Sequence, residues 1–541
     1  MTAKQRWTLL ASIIGSGVVF LDGTIVNVAL PRIGRELPAS VVGVFEGQTY
    51  VVIGYLATLA ALLILAGALS DRYGRRRTYV IGLAGFGITS ALCGLAPSLE
   101  LLIVFRLLQG AAGALLVPGS LSLITQAFSD AERPRAIGLW ASATSGLVLL
   151  GPILGGLLVD TVGWRFAFLV NVPFIAAALW ATLAHVDESR NTESTGRFDW
   201  LGAVVATLAV GGLAFGLIRG QQQSWADATA WIALAVGVVS LVLFPILMAT
   251  RPNPLVPLGL FRSRPFATVN LATFFVYGAL YGNFGYQTLV LQNVIGYSAL
   301  AAGAIGLPSG LMLVVLSARV GAIAGRRGAR AFLVAGPLLM AAGALWFARL
   351  PVESAPWLAS VATPMSLIPP VSMWIDVMPA VVLSGLGISL VVAPLTTTLM
   401  GSMPTRYSGL GSAINNAISR VGYPLLGAFT FIAVSATFYA ALGSAAPDLD
   451  TSSATVRAAF QPLYPPEGAT AAQAAAAAQA SMSAFHLSML AAALLLAIGS
   501  LVSFIGLRGT SAMAPRAATT ATTASTATTA TDATTKVETV P

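Results

Sequence analysis

The chain contains 541 residues, of which 56% are hydrophobic and only 9% are charged. Because soluble domains carry roughly 25% charged residues, this composition excludes an ordinary soluble fold and predicts a polytopic membrane protein. The net charge of +9 does not indicate nucleic-acid binding, since the basic residues lie in short hydrophilic gaps instead of one patch. Cys93 is the only cysteine, so no disulfide can form within the chain.

Apolar runs of roughly 20 to 30 residues follow one another along almost the whole chain. About 20 apolar residues, at 1.5 Å per residue, cross a hydrocarbon core about 30 Å thick. We therefore predict an all-α membrane protein with fourteen transmembrane helices. The predicted spans are 8–30, 47–69, 77–97, 101–128, 136–160, 164–185, 199–218, 228–250, 266–294, 299–323, 331–350, 377–400, 408–441 and 483–507.

The basic residues predict how the chain is oriented. Of the Lys and Arg residues outside the spans, 21 lie on the side of the N-terminus and six on the opposite side. The positive-inside rule then places the N-terminus in the cytoplasm, and an even number of spans places the C-terminus there too. The excess of Arg over Lys and the abundance of Ala and Gly indicate a GC-rich bacterial genome. We therefore expect the bacterial cytoplasmic membrane.

One carboxylate, Asp22, interrupts the first apolar run. Asp22 lies about 12 Å below the outer surface of the membrane. Arg106, in the fourth run, lies about 8 Å below the same surface, so the two side chains can meet. An ionisable group inside a span is costly and usually belongs to an ion or substrate pathway. A carboxylate that binds and releases a proton would couple transport to protons, with the guanidinium favouring release. The alternative is a purely structural ion pair.

Two further sets of polar residues are candidates for substrate contact. Gln109 and Gly113 lie on one stripe of the fourth predicted helix, which we expect to line a cavity; close helix packing is the alternative for the glycine. Asn415, Asn416 and Arg420 form a patch at about mid-depth in the thirteenth span. For this patch, substrate contact and hydrogen bonding between helices are equally consistent.

The buried charges would then be one carboxylate, Asp22, against two arginines, Arg106 and Arg420. This net positive balance argues against a preference for cationic substrates. Acidic residues near the outer ends of spans could correct this balance, although such residues are more often interfacial and solvated. They are Glu46, Asp160 and Asp376.

A short loop segment is repeated. GALSDRYGRR runs from Gly67 to Arg76 after the second span, and GAIAGRRGAR runs from Gly321 to Arg330 after the tenth. The copies lie eight spans apart, whereas two six-helix repeats would give six, so we expect an extra helix pair between the halves. The predicted organisation is an N-terminal six-helix bundle over 1–187, a linking helix pair over 188–255, a C-terminal six-helix bundle over 256–507 and a disordered Ala/Thr-rich tail over 508–541.

The first copy of the repeat is predicted to act as a gate latch on the cytoplasmic side. Topology signalling explains its arginines, but it does not require a carboxylate. We expect Asp71 to pair with arginines at neighbouring helix ends and to hold the cytoplasmic side shut. The residues of this motif are Gly67, Asp71, Arg72, Gly74, Arg75 and Arg76.

The fifth span is nearly free of bulky side chains along one face. Glycines let backbones approach each other, and a proline removes a backbone hydrogen bond and permits a kink. This pattern predicts a packing hinge or seal formed by Gly146, Gly151, Pro152, Gly155 and Gly156.

Six segments resemble the major facilitator superfamily, and specifically its 14-span drug:proton antiporter branch of quaternary-ammonium and multidrug resistance exporters. Besides the GALSDRYGRR loop they are LDGTIVNVALPRIG, RLLQGAAGALLVPGSL, SGLVLLGPILGGLL, GWRFAFLVNVPF and PLVPLGLFRSRPF. The resemblance extends from about residue 8 to residue 507. It implies a monomeric alternating-access exporter that needs no cofactor, is driven by inward proton flow, and carries lipophilic and often cationic compounds. It also marks the proline-glycine segment of the fifth span as typical of exporters.

Other functional classes find little support in the sequence. His185 and His486 are the only histidines and lie far apart, and no metal spacing, nucleotide-binding loop or nucleophile elbow appears. We therefore expect no enzyme and no metal site, and a carrier fits the repeated halves better than a channel. The predicted function is proton-coupled multidrug efflux of amphipathic compounds. The alternative is a dedicated exporter of an envelope lipid, a siderophore or another metabolite.

Overall fold

The computed structural model describes residues 1–129, 132–189, 199–403, 408–466 and 468–509. Almost all of the predicted tail, residues 510–541, lies outside this part of the chain. The described residues are largely helical. In chain order the helices are α1 Ala3–Glu36, α2 Val44–Tyr73, α3 Arg75–Gly94, α4 Leu99–Ala127, α5 Arg133–Thr161, α6 Phe166–Leu169, α7 Asn171–His185, α8 Trp200–Gln222, α9 Ala228–Thr250, α10 Arg264–Leu289, α11 Ala299–Ala304, α12 Leu307–Arg327, α13 Arg330–Phe347, α14 Met378–Gly401, α15 Ser408–Ala445, α16 Ala454–Ala459 and α17 Ala471–Gly506.

Each predicted span overlaps a helix of the structure. By length and hydropathy, eleven helical segments of the described chain can cross a membrane. The helices α3, α5 and α10 overlap the other three predicted spans and are not among these eleven. The expectation of an all-helical membrane protein is confirmed, whereas the count of fourteen crossings remains a prediction.

The repeated loop segments form the same kind of turn. Gly74 separates α2 from α3 with a φ of 109°, and Gly328 separates α12 from α13 with a φ of 91°. This region of backbone conformation strongly favours glycine, because a Cβ atom would collide with the neighbouring peptide groups. The two halves therefore share a turn that the sequence repeat identified.

The helices pack in two groups with a helix pair beside them. Helices α1 to α7 pack together as the N-terminal bundle, and α10, α12 to α15 and α17 pack together as the C-terminal bundle. The short helix α11, which leads into α12, packs mainly on α5. Helix α8 contacts both α2 and α15, so it lies along one seam between the bundles, and α9 packs mainly on α8. The domain limits at residues 187, 255 and 507 remain predictions.

The two bundles meet at one face of the molecule, which holds the connections 351–372 and 446–470. We call it the loop face, and the opposite face, where α1 begins and α17 ends, the termini face. At the loop face Asp160 of α5 accepts hydrogen bonds from the backbone N–H groups of Ala299 and Leu300 at 3.3 and 2.8 Å. Arg35 of α1 donates to Asn293 at 2.7 Å.

The same face is closed on the opposite seam, where α2 meets α15. The rings of Phe45 and Phe431 stack with centroids 4.8 Å apart. The connection 446–470 adds two contacts, because Gln461 accepts from the backbone N–H of Phe45 at 2.9 Å and Gln48 donates to the hydroxyl of Tyr464. Hydrogen bonds therefore close the loop face on both seams, and ring stacking adds to the closure where α2 meets α15.

Glycines of α5 show where its neighbours come close. A Cβ atom added to Gly155 would lie 3.1 Å from the carbonyl oxygen of Ile25 in α1. One added to Gly156 would lie 2.6 Å from Cα of Leu300 in α11. By contrast, Gly146, nearer the termini face, has no described atom from another helix within 4 Å of that position. Helix α5 is thus tightly packed toward the loop face and has open space beyond it, so this conformation is closed at the loop face.

Replacement of Gly156 by Ala should disturb this closure. The new methyl group would collide with backbone atoms of α11, which cannot rotate away, and overpacking of this kind costs about 1 to 3 kcal/mol. The population closed at the loop face should fall about 5- to 150-fold relative to the open one. A cysteine in place of Asn27, which is 6% exposed here, should then react faster with a water-soluble maleimide.

The matched control is Gly146→Ala in the same helix, which adds the same methyl group to open space. It should leave the labelling rate unchanged. Equal labelling rates for the two alanine variants and the parent would show that the contact between α5 and α11 does not determine closure.

Candidate functional site

Four buried polar side chains meet inside the N-terminal bundle. Arg106 of α4 donates from Nη1 to Oδ2 of Asp22 in α1 at 2.5 Å, and both residues are at most 1% exposed. The other carboxylate oxygen, Oδ1, accepts from Nε2 of Gln109 at 3.1 Å and from Nδ2 of Asn171 at 3.0 Å. We call these four residues the Asp22 network. Both oxygens of the carboxylate therefore accept hydrogen bonds.

The guanidinium of Arg106 has further partners. Its Nε donates to the carbonyl oxygen of Val51 at 3.2 Å, and its Nη1 also donates to Oε1 of Gln109 at 2.8 Å. Its carbon Cζ lies 4.0 Å from the ring centroid of Tyr55 in α2. A guanidinium over an aromatic face is stabilised by the ring electrons. The sequence expectation that Asp22 and Arg106 can meet therefore agrees with the contact, while their role in proton coupling stays a prediction.

Sequence reasoning missed Asn171, which is fully buried at the start of α7. Its Nδ2 also donates to Oγ of Ser90 in α3 at 3.0 Å. The residue lies in the segment GWRFAFLVNVPF, so an amide within an apolar run was visible. Nothing in the sequence showed that this amide and Asp22 face each other.

The stripe on α4 is buried inside the bundle. Gln109 is fully buried and takes part in the Asp22 network, and it also accepts a weak hydrogen bond from Sγ of Cys93 at 3.4 Å. A Cβ atom on Gly113 would contact Leu59 and Phe86 at 3.4 Å. In this conformation these two positions pack between helices, because α4 turns that face toward α2 and α3, and their contact with a substrate stays a prediction. The packing alternative fits Gly113.

The polar patch on α15 has two kinds of member. Nδ2 of Asn415 donates to Oδ1 of Asn270 at 3.1 Å and to Oγ1 of Thr273 at 3.0 Å, both on α10. Asn416 donates to the carbonyl oxygen of Ser412 in its own helix at 3.0 Å. For Asn415 these contacts fit hydrogen bonding between helices. Arg420 is 6% exposed and, within the described part of the chain, has no hydrogen bond or ion pair.

The turn between α2 and α3 is held by residues that follow α7. The carboxylate of Glu188 accepts from the backbone N–H groups of Arg76 and Arg77 at 3.2 and 3.0 Å. An anion at this position satisfies free N–H groups of the first turn of α3 and complements the helix dipole. Nη2 of Arg76 donates to the carbonyl oxygen of Leu183 at 2.6 Å. The side chains of Asp71 and Arg72, and Gly67, lie outside the described residues, so the latch stays a prediction.

Of the acids near the loop face, Glu46 differs from the expectation of a solvated side chain, whereas Asp160 is exposed as expected. Glu46 is fully buried, and its carboxylate lies 3.5 Å from Nη1 of Arg219 in α8. Asp160 accepts two backbone N–H groups of α11, as described above. The sequence placed these acids at helix ends correctly, but it could not show that a helix from another part of the chain supplies their partners.

The helical architecture and the buried charge network define a membrane carrier, and comparison with known proteins gives its family. The family model "Major Facilitator Superfamily" matches residues 12–427. The chain therefore belongs to the Major Facilitator Superfamily, and the resemblance seen in the sequence is confirmed.

Two relatives and one solved structure illustrate the similarity. The chain is 36% identical to multidrug resistance protein Stp of Mycobacterium tuberculosis (strain CDC 1551 / Oshkosh) over 83% of this chain and 80% of the relative. It is 34% identical to the tetracenomycin C resistance and export protein of Streptomyces glaucescens over 77% and 73%. The crystal structure of a bacterial homolog of the human lysosomal transporter Spinster, inward-facing and unoccupied, matches with a TM-score of 0.60 at 18% identity, over 94% of this chain and 98% of that one. That match shows the fold alone.

The contacts of Glu188 lead to a prediction about local stability. Glu188→Ala removes the acceptor of two N–H groups at the start of α3, and loss of such a cap costs about 1 kcal/mol. We expect hydrogen exchange at the amides of Arg76 and Arg77 to become roughly fivefold faster. Mass spectrometry of the purified protein in detergent would measure this.

Asp187→Ala is the matched control, because the neighbouring acid forms an exposed ion pair with Lys4 at 2.7 Å. Exposed pairs contribute little, so exchange in α3 should stay as in the parent. If both variants accelerate exchange equally, the effect comes from the general loss of negative charge and Glu188 has no capping role.

Proposed function

We propose that this chain is a proton-coupled secondary exporter that carries amphipathic organic compounds out of a bacterial cell by alternating access. Its family and the names of its relatives, a multidrug resistance protein and an antibiotic resistance and export protein, support efflux. The observation that carries the proton coupling is the fully buried carboxylate of Asp22, held by an arginine and two amides. We further propose that the chain lies in the cytoplasmic membrane with both termini inside the cell, and that it functions as a monomer.

Proton transfer can act on the seal through α1. Asp22 is next to Leu21, whose carbonyl oxygen would lie 3.3 Å from a Cβ atom on Gly151, and one turn later Ile25 approaches Gly155. When Asp22 is protonated, its attraction to Arg106 weakens and α1 can shift against α4 and α7. Since α1 packs against the glycine face of α5, and α5 packs against α11, this shift would loosen the loop-face contacts.

The motif at the termini face would close the opposite side. In this proposal Asp71 forms a latch with neighbouring arginines when the cytoplasmic side is shut, and the turn at Gly74 positions it. Gly325 stands at the matching place in the second copy, so the C-terminal half lacks the same carboxylate. The anchoring of the Gly74 turn by Glu188 supports a fixed position for the latch.

Efflux itself can be tested in cells. Expression of the chain in a host that lacks its own efflux pumps should lower the accumulation of at least one dye or antibiotic from a broad panel. An uncoupler should restore accumulation, because no nucleotide-driven step is involved. If the protein is present in the membrane and no compound of the panel changes, a dedicated metabolite exporter would replace the multidrug proposal.

Proton coupling can be tested with Asp22→Asn in proteoliposomes. The amide oxygen can still accept from Arg106, so the protein should fold, while the variant can no longer bind and release a proton. Uphill transport driven by a pH gradient should fall at least about 100-fold, whereas exchange of substrate across the membrane without a gradient should persist. Uphill transport at the parent rate would disprove the coupling role of Asp22, and loss of exchange as well would indicate a structural role.

A further inference from the structure

One buried charge in the described part of the chain has no counter-ion. Five charged residues are buried there: Asp22, Glu46, Arg106, Asp199 and Arg420. The first four lie within 3.5 Å of a group of opposite charge, on Arg106, Arg219, Asp22 and Arg251 respectively. Arg420 has no such partner among the described residues, and its Nε is buried without a hydrogen bond. A guanidinium stays protonated in proteins, so this is an uncompensated buried cation.

Arg420 lies where the two bundles face each other. Its Cζ is 5.5 Å from the ring centroid of Phe20, so α15 of one bundle meets α1 of the other. The guanidinium therefore lies at the contact between the two bundles and faces an aromatic ring of the N-terminal one.

The face of α1 that carries Phe20 has open space one turn further along. Gly23 follows Phe20 by three residues on the same face, and no described atom beyond its own helix backbone lies within 4 Å of where its Cβ would be. Tyr55 also connects the region with the Asp22 network, because its ring packs against Arg106 and its hydroxyl donates to the carbonyl oxygen of Val19 at 3.1 Å. A ligand at Arg420 would thus lie one aromatic ring away from the proposed proton site.

We propose that Arg420 binds the acidic group of the exported compound, so that the preferred substrates are amphipathic organic anions with a carboxylate next to an aromatic or apolar body. This inference rests on the proposed function. A planar guanidinium matches a carboxylate through two parallel hydrogen bonds, and the ring of Phe20 offers an aromatic contact to the apolar body. A cationic compound would meet repulsion here, since the buried acids Asp22 and Glu46 are already paired.

The test compares two dyes of similar shape and opposite charge in proteoliposomes that contain the full chain. Fluorescein is an anionic xanthene and rhodamine 123 a cationic one. The parent should transport fluorescein with the lower KM. Arg420→Gln should raise the KM for fluorescein at least about tenfold and leave or lower the KM for rhodamine 123, and Arg420→Lys should fall between the parent and Arg420→Gln.

Arg349→Gln is the matched control. Arg349 also stacks on an aromatic ring, since its Cζ lies 3.4 Å from the ring centroid of Trp346, but it is exposed at the loop face. It should change neither KM. A parent that prefers rhodamine 123, or an Arg420→Gln variant that impairs both dyes equally, would overturn the proposal and leave Arg420 as a structural contact to Phe20.

Equilibrium binding in detergent separates this inference from the proposed function. If fluorescein binds the parent and binds Arg420→Lys more weakly, yet no compound of the broad panel is transported, the efflux proposal fails and the anion site stands. If efflux of other compounds is seen but neither fluorescein nor any simple aromatic carboxylate binds, the efflux proposal stands and the anion site is refuted. Arg420→Lys keeps the charge and so serves even if Arg420→Gln does not fold.

Discussion

The ion pair between Asp22 and Arg106 is the interaction on which the N-terminal bundle depends. In an apolar interior a single charge is very unfavourable, and removing one partner of a buried pair typically costs 3 to 5 kcal/mol. Here α1 and α4 carry the pair itself, and α2 and α7 supply an acceptor for Arg106 and a donor for Asp22. Helix α3 joins through Ser90, which accepts from Asn171. Five helices are therefore positioned by the need to satisfy one carboxylate and one guanidinium.

Glycine contacts extend this constraint to the seam between the bundles. The residues that flank Asp22 in α1 are the ones that approach the glycines of α5, and the next glycine of α5 approaches the backbone of α11. Close backbone contact leaves no flexible side chain to absorb a displacement, so a small shift of α1 has to move α5 as well. A proton site buried away from the seam can thus influence it without touching the other bundle.

The sequence predicted the position of polar residues along their helices well, but it predicted poorly which neighbouring helix each residue faces. The position of a residue along an apolar run gives its distance from the membrane surface, which is why Asp22 and Arg106 were expected to meet. Which neighbour a helix faces depends on packing far along the chain, so Asn171 as a partner of Asp22, Glu188 as a cap for α3, and Arg219 as a partner of Glu46 were not found. The turn at Gly74 and Gly328 was predictable, because a repeated glycine pattern reports a local backbone requirement.

The proposed charge of the substrate determines how the membrane potential would act on the carrier. Exchange of one proton inward for one monovalent cation outward moves no net charge, so only the pH difference would drive it. Exchange of one proton inward for one anion outward moves two charges in the favourable direction, and each is worth about 2.3 kcal/mol per 100 mV. Under this proposal Arg420, which has no counter-ion among the described residues, and the buried carboxylate of Asp22 would belong to a carrier that uses the electrical gradient, since anion export and proton entry both relieve the negative potential inside the cell.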